Sequence, residues 1–345
     1  MSMATRTDAQ SMPQHMRPMK FVPYQLLDGR PSVVVDGSPA PGTVLTVTHW
    51  PGYPPPAGIE DDLSAQMAFR LLERPDLVPG EAEAVSNNHF DQDGLVSIYA
   101  MVAPDDALRR RTFLEDVAFA GDFALCRDRD AARVSMVLSD LANGDDLPAD
   151  YTERTGVLYA DVLGRLPELC DHVERHRDVW GDEDATLEAS DAAFEDGRAV
   201  IEERTDVDLA VVTVAEDTPE SGGHRFGGDW ITGLHPMAVN TRTERVSLAR
   251  LRGRRYNVEL RYEGWVQLQS RPVRPRRDLA PLAARLQDEE TGDAVWSATP
   301  VSGLLPRLHL GDGQESSIAP DRFVDLLTNH LRTAPPAWDP FAPKS

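Results

Sequence analysis

Lysine and cysteine are nearly absent from this chain of 345 residues: Lys20 and Lys344 are its only lysines, and Cys126 and Cys170 its only cysteines. Two cysteines so placed make neither a metal-binding spacing nor a disulfide framework. They read as two reduced, partly buried thiols. Uninterrupted apolar runs of about 18 residues are missing too, so no transmembrane helix and no membrane partner is expected. Met1 to Lys20 is polar and lacks an apolar stretch, which reads as a disordered tail rather than a signal peptide. These absences together predict a cytoplasmic protein.

The formal charge is -22 at pH 7. Such an acidic surface excludes general coating of nucleic acid. Because lysine is scarce, arginine carries the positive charge, and it is unevenly spread. Arg242 to Arg277 holds eleven arginines against three acids, Glu244, Glu259 and Glu263. Guanidinium forks match phosphate or carboxylate oxygens, so this block is a candidate anion-binding face. The plainer alternative is a set of surface arginines salt-bridged to the acidic remainder.

What is present in concentration is polar chemistry between an expected strand and an expected helix. Asn87-Asn88-His89-Phe90-Asp91-Gln92-Asp93 packs a histidine, two carboxylates and three amides into seven residues. His89, Asp91 and Asp93 are spaced by two, so in an extended segment they converge on one point. Oxygen and imidazole ligands so placed suit a hard divalent cation. Gly94 lets the backbone turn into the helix. An Asp-x-Asp-Gly before an apolar run is equally what a loop with an N-cap looks like.

Around this segment, strands and helices alternate. Phe21 to Val35 reads as a small strand pair around Asp28-Gly29. Thr43 to Thr48 reads as a buried strand ending at His49-Trp50. A helix over Ala65 to Leu72 starts after Asp61-Asp62. Glu83 to Ser86 is a strand, the helix after Gly94 reaches Met101, and another spans Asp105 to Phe119, stopping at Gly121-Asp122. Such alternation implies α/β architecture, a parallel sheet with covering helices. Ligands bind beyond the carboxyl ends of such strands. His49 and the His89 cluster fall at that edge, and Asp61, Asp62 and Asp122 can reach it from adjacent loops.

Ala131 to Glu203 is helical in pattern, with an apolar face of Tyr159, Val162, Leu163, Leu166, Leu169 and Val173 that Pro167 interrupts. His172 and His176 have a metal-compatible spacing but read as solvated surface histidines. From Val207 the texture becomes α+β: strands at Asp208 to Val214, Met237 to Asn240, Val246 to Leu251, Tyr256 to Tyr262, Trp265 to Gln269 and Ala294 to Ser297, with helices at Leu279 to Gln287 and Asp321 to Leu331. The expected organisation is a tail (1–20), an α/β metal-binding domain (21–205) with its helical segment (131–203), a smaller α+β substrate-binding domain (206–333) and a Pro-rich tail (334–345). That helical segment either caps a cleft or mediates a homodimer.

The strand followed by His89-Phe90-Asp91-Gln92-Asp93-Gly94-Leu95-Val96-Ser97 resembles the first motif of the DHH phosphoesterase superfamily. The resemblance implies that Asp91 and Asp93 hold a manganese pair, with His89 a further ligand. A second stretch, Trp265 to Arg271 and then Asp278-Leu279-Ala280-Pro281-Leu282-Ala283, resembles the substrate-binding lobe of those enzymes and implies that Ser270 and Arg271 touch substrate phosphate. The Asp-His-His triplet is absent, and so is the Gly-Gly-Gly-His turn; Ser221-Gly222-Gly223-His224 lies too early to supply it. The implied relative is a divergent one.

The leading expectation is therefore a hydrolase of a small phosphorylated or nucleotide-type substrate, using Mn²⁺ or Mg²⁺. Its metal set is Asp91, Asp93, His89, Asp122 and His49, with Asp91, Asp93 and His89 catalytic. Ser270, Arg271, Asn87 and Asn88 stand on the substrate side, the two amides orienting ligands or water. One alternative is a non-catalytic nucleotide- or protein-binding regulator on a degenerate hydrolase scaffold. Another is an α/β enzyme using His49 and the His89 cluster for acid–base chemistry without metal.

Overall fold

The computed structural model describes residues 16–144, 146–218 and 231–342. As the alternation implied, the chain is α/β, with a four-stranded parallel sheet followed by a six-stranded mixed sheet.

The first sheet comprises β1 (Lys20–Phe21), β2 (Ser32–Val35), β3 (Thr43–Val47) and, after helix α1 (Ser64–Glu73), β4 (Ala84–Ser86), in the order β1-β4-β2-β3. All pairings are parallel. β1 and β2 are thus not the expected strand pair, because β4 lies between them. The Asp28-Gly29 turn does form, both residues having positive φ, but it joins strands one strand's width apart. β3 is a partly exposed edge strand rather than a buried one, so its threonines can face water. Met16 is buried in the core and Lys20 opens β1, so the expected tail is held in place over its described part; residues 1–15 lie outside the described residues.

Helix α2 (Gln92–Val102) is buried at every position but its last. Its sequence after Gly94 is apolar on all sides, as a central helix requires. The helix expected over Asp105 to Phe119 is broken at Arg110 into α3 (Pro104–Arg109) and α4 (Arg111–Asp122). The helical segment comprises α5 (Arg129–Ala142), α6 (Tyr151–Asp171) and α7 (Arg177–Glu195). Pro167 lies inside α6 without dividing it. His172 ends α6, and His176 closes a 3-10 turn; each lies beside a glutamate, Glu174 and Glu168, but both are only partly exposed and His176 Nε2 is shut off from solvent, so the pair is less solvated than expected.

Helix does not extend to Glu203: β5 (Ala199–Arg204) opens the second sheet, ahead of the expected boundary at 206. It continues through β6 (Leu209–Val214), α8 (Pro236–Asn240), β7 (Ser247–Arg252) and β8 (Arg255–Leu260). After the short β9 (Arg276–Arg277) come α9 (Ala280–Glu289), β10 (Trp296–Ala298), β11 (Arg307–Leu310), α10 (Pro320–Thr333) and β12 (Pro336–Trp338). The strand order is β10-β11-β8-β7-β6-β5, with only β6 and β7 parallel.

Two expected strands are something else. Met237 to Asn240 is the helix α8, started by Pro236 at its first position and by His235, whose Nδ1 accepts the Met237 N–H at 3.1 Å. Trp265 to Gln269 follows a 3-10 turn (Tyr262–Gly264) and is irregular. Its Val266 and Leu268, with Met237 and Ala238, pack into the core of the first unit and join the two halves. The Pro-rich tail is pinned where β12 pairs antiparallel with β9. The glycine-rich loop with His224 lies outside the described residues. No helix among the described residues is long and apolar enough to cross a membrane.

Candidate metal centre

Register builds the site. Val35 of β2 lies opposite Val47 of β3, and Val34 lies opposite Ser86 of β4. The residues that follow these partners, Asp36, Thr48-His49 and Asn87 to Asp93, therefore emerge at one level from the carboxyl ends of three adjacent parallel strands, where such sheets bind ligands. Asp122, at the end of α4, enters from the side.

His49 Nε2 lies 3.6 Å from Asp36 Oδ1, 3.6 Å from Asp122 Oδ2 and 3.9 Å from Asp93 Oδ2. His89 Nε2 lies 2.8 Å from Asp91 Oδ2 and 3.2 Å from Asp36 Oδ2. Four carboxylates and two imidazoles thus surround one point, and Asp36 turns one oxygen to each histidine. All five residues expected as ligands are brought together. Asp61 is not among them, because it pairs with Arg70 at 2.6 Å on the outside.

The surroundings fix these groups. His49 Nδ1 donates to the Asp62 carbonyl at 2.7 Å, so the Nε2 that faces the carboxylates carries a lone pair when the ring is neutral. Asp91 Oδ1 caps α2 by accepting the Gly94 N–H at 2.8 Å, leaving Oδ2 for the centre. Asp93 accepts the Ser64 and Ala65 N–H groups at 2.9 and 2.7 Å, tying it to the start of α1. Ser64 Oγ donates to Asp36 Oδ1 at 2.8 Å. Asp36 Oδ2 is buried, and its nearest polar neighbour is His89 Nε2 at 3.2 Å.

Gly94 lies inside the first turn of α2 rather than ahead of it, and its φ is not positive. It is needed for space: a Cβ there would stand 2.2 Å from Asn87 Nδ2 and 2.6 Å from the Tyr159 hydroxyl. Gly37 is similarly confined, with Asn88 Oδ1 at 2.1 Å from such a Cβ. Asn87 is wholly enclosed: it accepts the His89 N–H at 3.2 Å and donates to Tyr159 at 3.1 Å, so it holds His89 and cannot touch a substrate. Asn88 Oδ1 lies 3.4 Å from His89 Nδ1.

Burial governs the charge states. It pushes Asp36 up to about 7, with Asp91 and Asp93 adding to the effect. Burial and then Asp91 likewise push Asp93 up to about 7. Asp122 is driven well above the carboxylate range by the same burial and by the other three acids. Burial also favours neutral His49. Burial opposes the charge on His89, but Asp91 and Asp36 outweigh it and raise the imidazole well above its usual value. Asp91 in turn is held below the usual range by His89 and the Gly94 N–H, against its burial. A centre holding only protons therefore keeps one ion pair, His89 with Asp91, and favours proton retention on the rest.

Sequence reading missed Asp36, Ser64 and Tyr262, whose hydroxyl lies 3.4 Å from His49 Nε2. The Val33-Val34-Val35 run followed by Asp36-Gly37 carried the same strand-then-polar signal as His49 and Asn87. Tyr262 had no local signal, since its approach depends on how the second unit docks.

Ser270 and Arg271 are not at the centre. They line a cavity of about 440 Å³ between the units, beside Asp62, Phe123, Arg242 and Arg261. Asp62 ties the two places together: its carbonyl holds His49, and its Oδ1 accepts the Gln269 and Ser270 N–H groups at 2.7 and 2.8 Å. Much of the arginine block is paired, as the plainer alternative held: Arg242 with Asp191, Arg245 with Glu203, Arg250 with Glu259 and Arg261 with Glu263. Arg271 has no carboxylate partner among the described residues.

The fold and this centre define an α/β protein with a buried acidic–histidine cluster at the carboxyl edge of a parallel sheet. Residues 17–342 match a family of unknown function (DUF6687), and the chain belongs to that family. No curated protein and no solved structure matches it.

Proposed function

We propose that this protein is a metal-dependent, phosphoesterase-like hydrolase of small phosphate esters or nucleotide-type substrates, with Mn²⁺ or Mg²⁺ as its ion. One observation carries the reading. Four carboxylates, three of them enclosed and Asp91 partly exposed, meet two histidines, and among the described residues no arginine or lysine pairs with any of the four. Unpaired buried charge is costly, and a cation is the direct remedy. Asp36 Oδ2 is buried, and beyond its 3.2 Å approach to His89 Nε2 it has no partner among the described residues.

The donors form two sets that share Asp36: Asp36, His49 and Asp93 in one, Asp36, His89 and Asp91 in the other, with the ligand atoms of each set within 4.8 Å of one another. Asp122 joins the first set from the side. Carboxylate oxygens with imidazole nitrogens fit Mn²⁺ well, and Mg²⁺ less well because of the nitrogens. A divalent ion so held supplies Lewis-acid activation of water and neutralises charge on a phosphoryl oxygen. The chain's own part is to present deprotonated ligands, to aim His49 through Asp62, and to exclude bulk water from all but the His89–Asp91 side. Arg271, with Ser270, offers a guanidinium to an outlying anionic group.

The test is turnover of a generic phosphodiester, bis(p-nitrophenyl) phosphate, by the Mn²⁺-loaded protein and its Asp91→Asn variant. Hydrolysis abolished by chelator and by the substitution supports the reading. Equal behaviour of the two proteins removes it.

A further inference from the structure

The acidic centre is closed on most sides. The side chains of His49, Asp36, Asp93 and Asp122 are 0%, 1%, 0% and 5% exposed, whereas those of His89 and Asp91 are 17% and 33% exposed. The widest approach is therefore past His89; the cavity that Asp122 lines with Tyr262 is smaller, about 100 Å³. The approach past His89 is paved with aromatic rings. Trp50 lies against His89, centroids 5.2 Å apart, and meets Trp265 edge-on at 5.7 Å. Trp265 lies nearly parallel to Trp338, 6.0 Å away at 6°. Trp50, Tyr53, Trp265 and Trp338 line a cavity of about 570 Å³. That is within the usual span of small-molecule sites, about 300–1,000 Å³.

Its polar groups are few. Asp339 lines the same cavity and spends only Oδ1, on the Phe341 N–H at 3.0 Å. Flat aromatic walls and a spare carboxylate oxygen at the edge match a planar heterocycle with an exocyclic amine. Among the described residues no cation lines this cavity and the Asp339 carboxylate does, which disfavours a phosphate there.

We propose that this tryptophan-lined cavity binds the base of a nucleotide whose phosphate is handled at the acidic centre beside His89. The proposal rests on the hydrolase reading for the fate of the phosphate, but binding of the base does not. Stacking on an aromatic side chain contributes about 1–3 kcal/mol per base, and it tolerates different bases because each has a π-face.

The experiment is calorimetric titration of the full chain with AMP, GMP, CMP, UMP and ribose 5-phosphate in the presence of Mn²⁺, and with the parent nucleosides in its absence. At least one nucleoside monophosphate is expected to bind about tenfold more tightly than ribose 5-phosphate, in keeping with one stacked base. Trp338→Ala should erase that advantage, Trp338→Phe should keep most of it, and Mn²⁺ affinity should be the same in all three proteins. Ribose 5-phosphate matching all four nucleotides would overturn the proposal, whether the cavity then holds a sugar or nothing. An undiminished advantage in a folded Trp338→Ala variant would do the same. Nucleosides that bind through Trp338 in a protein that takes up no Mn²⁺ would uphold the cavity while removing the hydrolase reading. Mn²⁺ uptake with no preference for a base would do the reverse.

Discussion

His49 Nδ1 lies 2.7 Å from the carbonyl oxygen of Asp62, and this contact decides which nitrogen looks into the acidic centre. A carbonyl can only accept, so Nδ1 carries the proton and Nε2 is left with its lone pair facing the space ringed by Asp36, Asp93 and Asp122. His49→Gln should lower Mn²⁺ affinity by at least about tenfold, the scale seen when groups that orient a metal ligand are lost. Tyr262→Phe, which removes only the hydroxyl 3.4 Å away, should leave it within about twofold on the same scale. Titration calorimetry of both variants checks the pair.

Proton and cation compete at Asp36 and Asp93. Both carboxyls are held at about 7 when folded, above the ordinary aspartate value of 3.8. A group raised in this way binds more protons in the folded state, so its stabilising contribution is complete below pH 3.8 and is lost as pH rises through 7. The metal-free protein should therefore melt at progressively lower temperature between pH 5 and 8, as far as these two groups control it. The increase in Tm on adding Mn²⁺ should grow across that window, because binding must displace those protons. Thermal melts with and without Mn²⁺ measure both slopes.

Gly94→Ala tests the packing beneath His89. The added Cβ would meet Asn87 Nδ2 at 2.2 Å and the Tyr159 hydroxyl at 2.6 Å. Overpacking of this kind costs about 1–3 kcal/mol, so the midpoint of chemical denaturation should fall by that equivalent. Mn²⁺ affinity should fall with it, because Asn87 would no longer brace the His89 N–H.

Arg271→Ala bears on the interdomain cavity. Its guanidinium lines that space without a carboxylate partner, so removal should cost little stability, under about 0.5 kcal/mol. For a substrate with an outlying anionic group KM should rise about five- to tenfold, the loss of one charge-assisted contact. A lone diester should be unaffected. Steady-state kinetics with the two substrate types separates these outcomes.

The elements legible in the sequence were those whose signal is local. The β-branched run at Thr43 to Val47, the Ser64–Glu73 helix after its acidic start, and the strand at Ala84 to Ser86 stand close to where periodicity put them. Hence the carboxyl-edge position of His49 and Asp91 could be read without coordinates. Sheet order could not, because insertion of β4 between β1 and β2 depends on long-range pairing. Met237 to Asn240 was misread because a four-residue apolar run has no period, and Pro236 and His235 tipped it into a helix. The centre itself was legible for five of its six groups. Asp36 escaped because a single acid after a strand is an ordinary turn residue until register sets it level with its neighbours.

The most direct measurement is the number of Mn²⁺ ions bound per chain by the metal-stripped protein, compared with its Asp36→Asn variant. Two ions are expected for the native chain and sharply weakened binding at both positions in the variant, since Asp36 turns one oxygen to each histidine. A native chain that takes up no Mn²⁺, or whose uptake is indifferent to Asp36, would contradict a metal centre at this edge of the sheet.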